Sequence, residues 1–400
     1  MTRRILAIAA PAVCLLLFGG ADLESRLAPS IRRDRPAKFR DPASDVTAAA
    51  WKTDLRSVGF LDPPSKDSTW HPVYSQGPLF FADEHVLIAV FTTREEISTL
   101  TRRDDPNRQM PWKVHAVSLD AATGSVRATN EWGLRAASFG MIGRGDGSFV
   151  LFTPLALATC LADLHTCKEL RFSPEQASRL AAVHFSPTGR SVLLQYQGAP
   201  SDFEWLDTGS LQSGPAWQGT EMPLSVSDSA AVFVQTHREP RGMNHTIALR
   251  LKDGTQRVVC SATADDRGCF GVPKFVGDDI LALREARRLR LVPGSGGKSL
   301  MELEAPRDEW LGAPVASADG SRIAFPVSVP KEGKVLVDVP SDSELLRIEV
   351  RKIHGGEPIC KLDGARHKLK SIAGLALSPN GSIMAILADG IVSLYRLPVP

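Results

Sequence analysis

The segment Val292–Ser299, VPGSGGKS, ends in the Gly-Lys-Ser of a phosphate-cradling loop. Such a loop also needs a glycine five positions before Gly297, where this chain has Val292, and a helix after it, which Pro306 leaves little room for. The Arg-Gly-Asp tripeptide in Gly143–Ser148, GRGDGS, falls where glycine and aspartate are wanted for a tight turn. Neither G-x-S-x-G nor H-E-x-x-H occurs, so the sequence supports neither a nucleophile elbow nor a zincin helix. The nine histidines are scattered singly and no Cys-x-x-Cys is present, so the reading calls for no metal and no cofactor. Arg284, Arg287, Arg288 and Arg290 form the one concentrated basic run. As a strand it divides its arginines between two faces, as a solvated edge does and a nucleic-acid groove does not.

Composition narrows the partner. The net charge of +2 gives no global attraction to nucleic acid or to an anionic membrane, so charge-driven binding has to be local. The chain begins with Arg3 and Arg4, then an apolar run from Ile5 to Phe18, then Gly19-Gly20-Ala21. That order predicts a secretory signal peptide over residues 1–21, cut after Ala21, and an exported protein, periplasmic or extracellular. Membrane contact would then come only through this segment if it stayed uncleaved. Residues 22–50, rich in Pro, Arg and Asp, read as a flexible leader. Export permits disulfides. Cys160 and Cys167 stand on opposite arms of a hairpin turning at Asp163-Leu164, while Cys260 and Cys269 bracket a polar loop. Both are candidate disulfides, with small buried thiols as the alternative for each, and Cys360 has no evident mate.

The elements behind these residues are short strands. Past residue 70 apolar runs alternate with Gly, Asp, Asn and Pro, and only Ser173–Val183 has a local helical pattern. Seven hairpins recur, turning near Asp83, Asp146, Thr188, Asp228, Asp278, Asp319 and Asn380, each with a more apolar second strand. A second kind of hairpin with a Gly-containing turn, such as IALRLKDGTQRVVC, lies between them. Two hairpins per unit, repeated about every 40 to 60 residues, predict four-stranded antiparallel blades arranged radially. The expected fold is therefore an all-β, seven-bladed β-propeller over residues 51–400. The last unit ends after three strands, so an N-terminal segment has to close the ring, and Asp54 to Asp62 is assigned that role.

FSPTGRSVLL, ASADGSRIAF and LSPNGSIMAI resemble the repeat of the WD40-like, TolB-type β-propellers of bacterial exported proteins. The likeness spans most of residues 70 to 400 and is strong in three of the seven units, while the Trp-Asp dipeptide of true WD40 repeats is missing. It implies an architecture more than a function, because propellers host binding modules and enzymes alike.

Function is sought on loops. Long polar insertions separate the second and third strands of units one and six, and a shorter one interrupts unit four. All three emerge on the face that carries the connections between blades. The candidate partner-binding residues are Arg94, Glu95, Glu96, Arg102, Arg103, Asp104 and Asp105 in unit one, His237, Arg238, Arg241 and His245 in unit four, and Lys331 and Lys334 in unit six. Mixed charge of this kind suits a protein or peptide partner in the cell envelope. The expectation is a monomeric, non-catalytic binding or scaffold module. The alternative is a lyase or hydrolase with its site in the central channel, and the apolar or small first strands, such as AGLAL and LSVS, count against it.

Overall fold

A computed structural model describes residues 45–46, 48–59, 79–94, 112–134, 139–239, 242–262, 271–330, 343–369 and 372–398. The chain enters on β1 (Trp51–Asp54) and then builds blade 1 from β2 (Leu79–Phe81), β3 (Val86–Arg94), β4 (Trp112–Asp120) and β5 (Val126–Leu134). Blade 2 comprises β6 (Gly140–Gly143), β7 (Ser148–Thr153), β8 (Ala156–Leu161) and β9 (Cys167–Arg171). A short helix, α1 (Pro174–Arg179), leads into blade 3, with β10 (Leu180–Phe185), β11 (Ser191–Tyr196), β12 (Ser201–Asp207) and β13 (Gln212–Gly219). Blade 4 has β14 (Ser225–Val226), β15 (Ala230–Glu239), β16 (Gly242–Leu251) and β17 (Gln256–Ala262); blade 5 has β18 (Val272–Phe275), β19 (Ile280–Arg284), β20 (Arg288–Pro293) and β21 (Met301–Glu304). In blade 6 the innermost strand is split into β22 (Trp310–Leu311) and β23 (Val315–Ala316), both paired with β24 (Arg322–Pro330), followed by β25 (Ser343–Lys352) and β26 (Pro358–Asp363). The split lies at Gly312, whose position leaves no room for a Cβ, since one would come within 2.3 Å of the Pro326 ring. Blade 7 contains β27 (Gly374–Leu377), β28 (Ile383–Ala388) and β29 (Ile391–Arg396), and β1 is its fourth strand.

Seven antiparallel sheets in a ring make a β-propeller. Each second strand is covered on both faces by neighbouring blades, so it reads as a continuous apolar run rather than an alternating one, as in SFVLFT of β7 and IMAILA of β28. Outermost strands such as β9 and β13 are largely exposed and polar. Among the described residues the core is not a single central one. Seven buried apolar clusters occupy the seven junctions between blades.

The repeat signature has a physical cause. Ser186, Ser317 and Ser378 are each no more than 1% exposed. Their hydroxyls accept the backbone N–H five residues on, from Ser191 (3.1 Å), Arg322 (3.0 Å) and Ile383 (3.1 Å). The residue two positions on, Thr188, Asp319 or Asn380, hydrogen-bonds the same serine hydroxyl. The next residue, Gly189, Gly320 or Gly381, takes φ near +66° to +69°, where glycine is at ease. The motif is thus a turn clamped by a buried serine.

These turns also bond to one another. Thr188 Oγ1 donates to Asp228, the Asp228 N–H to Asp278 Oδ1 (2.9 Å), the Asp319 N–H to the Pro379 carbonyl (3.0 Å), the Asn380 N–H to Glu84 Oε1 (2.6 Å), and the Gly147 N–H to the Ala82 carbonyl (2.9 Å). Five of the seven blade junctions are stitched in this way on one face.

Closure is by an N-terminal strand, as expected, but by different residues. Trp51–Asp54 pairs antiparallel with β29, from Trp51 opposite Leu394 to Asp54 opposite Ile391. From Leu55 to Val58 the chain is a single 3-10 turn instead of strand. Asp54 caps that turn by accepting the Arg56 N–H at 2.9 Å, and Gly59 ends it at φ +99°. Residues 60–62 of the expected strand lie outside the described residues. The last residues of the expected leader are tied to the ring, with the Val46 N–H bonded to the Lys361 carbonyl and the Ala50 N–H to that of Leu394.

Cys160 and Cys167 face each other across β8 and β9 and form a disulfide. The turn centres on Asp163-Leu164 as the sequence indicates, with Asp163 Oδ1 accepting the N–H groups of His165 (3.0 Å) and Thr166 (2.9 Å). A Cys167→Ser variant is expected to lose about 2 kcal/mol of stability. Oxidised wild type should unfold at a higher denaturant concentration than the variant measured under the same conditions; equal midpoints for the two would contradict this. Cys260 is not a free thiol, and its expected mate Cys269 lies outside the described residues. Cys360 is free and buried, its pKa pushed up to about 11 by burial.

Candidate interaction face

Strand length singles out three blades. The second strands of blades 1, 4 and 6 run for 9, 10 and 9 residues, against 6, 6, 5 and 6 in blades 2, 3, 5 and 7. Three or more extra residues carry a strand about 10 Å further. All seven second strands run in the same sense, so the three extensions rise on one face as two-stranded arms. Pairing continues along them to Arg94 opposite Trp112, Glu239 opposite Gly242 and Pro330 opposite Ser343. On the inner side of the blade 4 arm, β14 pairs with Ala231 and Val232, and Gln235 Nε2 donates to Glu221 Oε1 at 2.7 Å.

The expected site residues fall on these arms or beyond them. Arg94 is the last residue of β3. His237 and Arg238 lie on β15 opposite Asn244 and Met243, and His245 on β16 opposite Thr236. Glu95, Glu96, Arg102, Arg103, Asp104, Asp105, Arg241, Lys331 and Lys334 lie outside the described residues. Blades 1 and 6 both pack against blade 7 through their innermost strands, so their arms flank it and the arm of blade 4 rises across the ring.

The root of the blade 6 arm is held by buried charge. Arg347 forms a fork with Glu309 (2.9 and 2.6 Å) and donates from Nε to Glu349 Oε1 (2.7 Å). Arg351 donates to the other Glu349 oxygen (2.8 Å) and to the Gly356 carbonyl (2.9 Å). Glu349 is fully buried and Arg351 3% exposed. Burial disfavours the Arg347 cation, but its bonds to Glu309 and Glu349 outweigh that and hold its pKa above the ordinary arginine range.

The basic run is a set of ties rather than a solvated edge. Arg284 donates to the Leu311 carbonyl (3.1 Å), Arg287 to the Pro306 and Ala305 carbonyls (3.0 and 2.9 Å), and Arg290 to Ser299 (2.7 Å). The Arg-Gly-Asp segment is a turn, with Asp146 Oδ1 accepting the Ser148 N–H at 3.1 Å.

The innermost strands hold titratable groups that sequence reasoning passed over. On β18 the exposed Val272 and Lys274 alternate with buried Pro273 and Phe275. Lys274 is open to water yet crowded, and that desolvation, with the Arg284 charge nearby, lowers its pKa. Burial lowers the pKa of His184 on β10, favouring the neutral ring, whose Nε2 lies 3.4 Å from Gln195 Oε1. Among the described residues no group of three His, Cys, Asp or Glu is arranged to hold a metal ion.

The pairing of the sheets themselves defines a seven-bladed β-propeller. No family model matches the chain, and no curated protein matches it. Among solved structures, a chain of the mitotic checkpoint complex aligns at 10% identity with a TM-score of 0.49, over 93% of this chain and 100% of that one. The C-terminal WD40 domain of Sif2 aligns at 11% identity with a TM-score of 0.43, over 89% of this chain and 99% of that one. Likenesses this distant do not bear on function.

Proposed function

We propose that the chain is an exported, non-catalytic β-propeller that serves as a binding or scaffold module for a protein or peptide partner in the cell envelope, working as a monomer through the face that carries the arms. The observation that carries the reading is the extension of the second strands in blades 1, 4 and 6 alone. A loop grows at little cost, but strands that lengthen in register hold what they carry at a fixed height and angle. The basic and apolar start of the chain and the Cys160–Cys167 disulfide support export. Among the described residues no helix is long and apolar enough to cross a membrane.

The test is crosslinking capture from a cell-envelope extract, comparing wild type with variants in which residues 95–111 or 331–342 are replaced by tight turns. Partner capture is expected to fall about tenfold or more with either replacement, as for loss of an interface hot spot. Equal capture by all three proteins would remove the arms from the interface.

A further inference from the structure

Between the arms of blades 1 and 4, on the same face, a groove of about 540 Å³ opens where α1 lies against the outer part of blade 3. Tyr196 and Ala216 form part of its lining, and its charged groups are Glu175 and Arg179 of α1 with Asp202 and Glu204 of β12. Arg179 is committed to Asp202, which also accepts from Gln218 Nε2 at 2.8 Å. That leaves Glu175, exposed and without an ion-pair partner among the described residues, and Glu204, which accepts only the Tyr196 hydroxyl (3.1 Å) there. The unneutralised charge of the groove is therefore negative.

Two further features bear on what would fill it. The guanidinium of Arg179 sits 5.9 Å from the centre of the Tyr196 ring, so the groove already accommodates a cation over its aromatic wall. Exposed apolar side chains adjoin the elements that form it. Leu155, 62% exposed, is tied through its carbonyl to the Phe172 N–H just before α1, and Met222, 60% exposed, follows β13. Large apolar side chains this open to water beside a groove are features of a contact surface.

We propose that this groove docks an extended segment of a partner protein that presents an arginine or lysine side chain next to an apolar one. The basic group pairs with Glu204 and Glu175 beside the place that Arg179 already takes over the Tyr196 ring, and the apolar neighbour covers Leu155 or Met222. The inference deepens the reading of the chain as a binding module and rests on it. An anionic ligand, whether nucleic acid or an acidic membrane surface, meets the wrong sign of charge here.

The probe is a phage-displayed library of short random peptides selected on the full chain. Recovered peptides are expected to be enriched in Arg or Lys beside Leu, Ile or Phe. By fluorescence anisotropy they should bind Glu175→Lys and Glu204→Gln about tenfold more weakly than wild type, and more weakly at high salt. Glu175 is an exposed helix residue, so its variant should melt as wild type does and separate lost binding from lost folding. The proposal is overturned if no peptide is enriched, if those recovered lack basic residues, or if they bind both variants as tightly as wild type. Peptides that ignore both variants but are lost when the arms are shortened would overturn the groove alone and leave the arm face as the interface.

Discussion

Glu349→Ala is expected to cost the protein about 3–5 kcal/mol, the penalty for leaving buried guanidinium groups without their carboxylate. Glu349 is fully buried and joins Arg347 to Arg351 in the chain of bonds running from Glu309 to Gly356. Without it, neither guanidinium can recover water, because Arg351 is 3% exposed and Arg347 is walled in beside Glu309. Urea titration should show a lower midpoint with an unchanged slope. Replacing all four charged members, as in Glu309→Leu, Arg347→Met, Glu349→Leu and Arg351→Met together, should restore much of the loss, since apolar residues of similar size strand no charge. A loss below about 1 kcal/mol for Glu349→Ala would mean that the site opens to solvent easily and contributes little.

Trp51→Ala is expected to cost about 3 kcal/mol, from a partly buried indole and one hydrogen bond together. The indole of Trp51 donates to the Ala121 carbonyl at 3.0 Å, and Thr53 Oγ1 donates to the Gly124 carbonyl at 2.7 Å. Both partners belong to the turn between β4 and β5, so the closing strand fastens blade 7 to blade 1 as well as completing its own sheet. The ring of Trp51 lies so close over Gly124 that a Cβ there would meet it at 2.6 Å. Removing residues through Asp54 should do more, by baring the outer edge of β29 to pairing with other molecules. Size-exclusion chromatography should then show association in place of a monomer. A truncated protein that stays monomeric with an unchanged melting temperature would mean that β1 does not hold the ring.

How much of this could be read from the sequence depended on whether a local rule decided the outcome. The hairpins at Asp319 and Asn380 were legible because the following Gly320 and Gly381 adopt positive φ, a condition local sequence can express. The Cys160–Cys167 pair was legible because a turn centred on Asp163-Leu164 fixes which residues face each other. The closing strand was placed too late because Asp54 ends a strand and caps the next turn at once, and only its bond to the Arg56 N–H distinguishes those roles. The segment RIEVR on β25 was not legible as a buried charge cluster. Its alternating charges pattern like a solvent face, yet blade 6 is covered on both sides and the charges are buried with each other. The groove beside α1 could not be seen at all, because Glu175 and Glu204 meet only once the connection between blades 2 and 3 folds over the sheet.

The bonds that run from turn to turn all lie on the face opposite the arms. The molecule is in that sense a bracelet clasped along one rim. On the clasped rim a unit cannot be dropped or doubled without remaking at least one joint, so the number of blades is hard to change. On the other rim the Leu311 N–H bonds the Ala286 carbonyl (2.7 Å) and Arg284 the Leu311 carbonyl (3.1 Å) between blades 5 and 6, while the arms of blades 1, 4 and 6 can be lengthened, trimmed or exchanged with the clasp still shut. Recognition placed on the unclasped rim is free to drift toward new partners without loosening the ring that presents it.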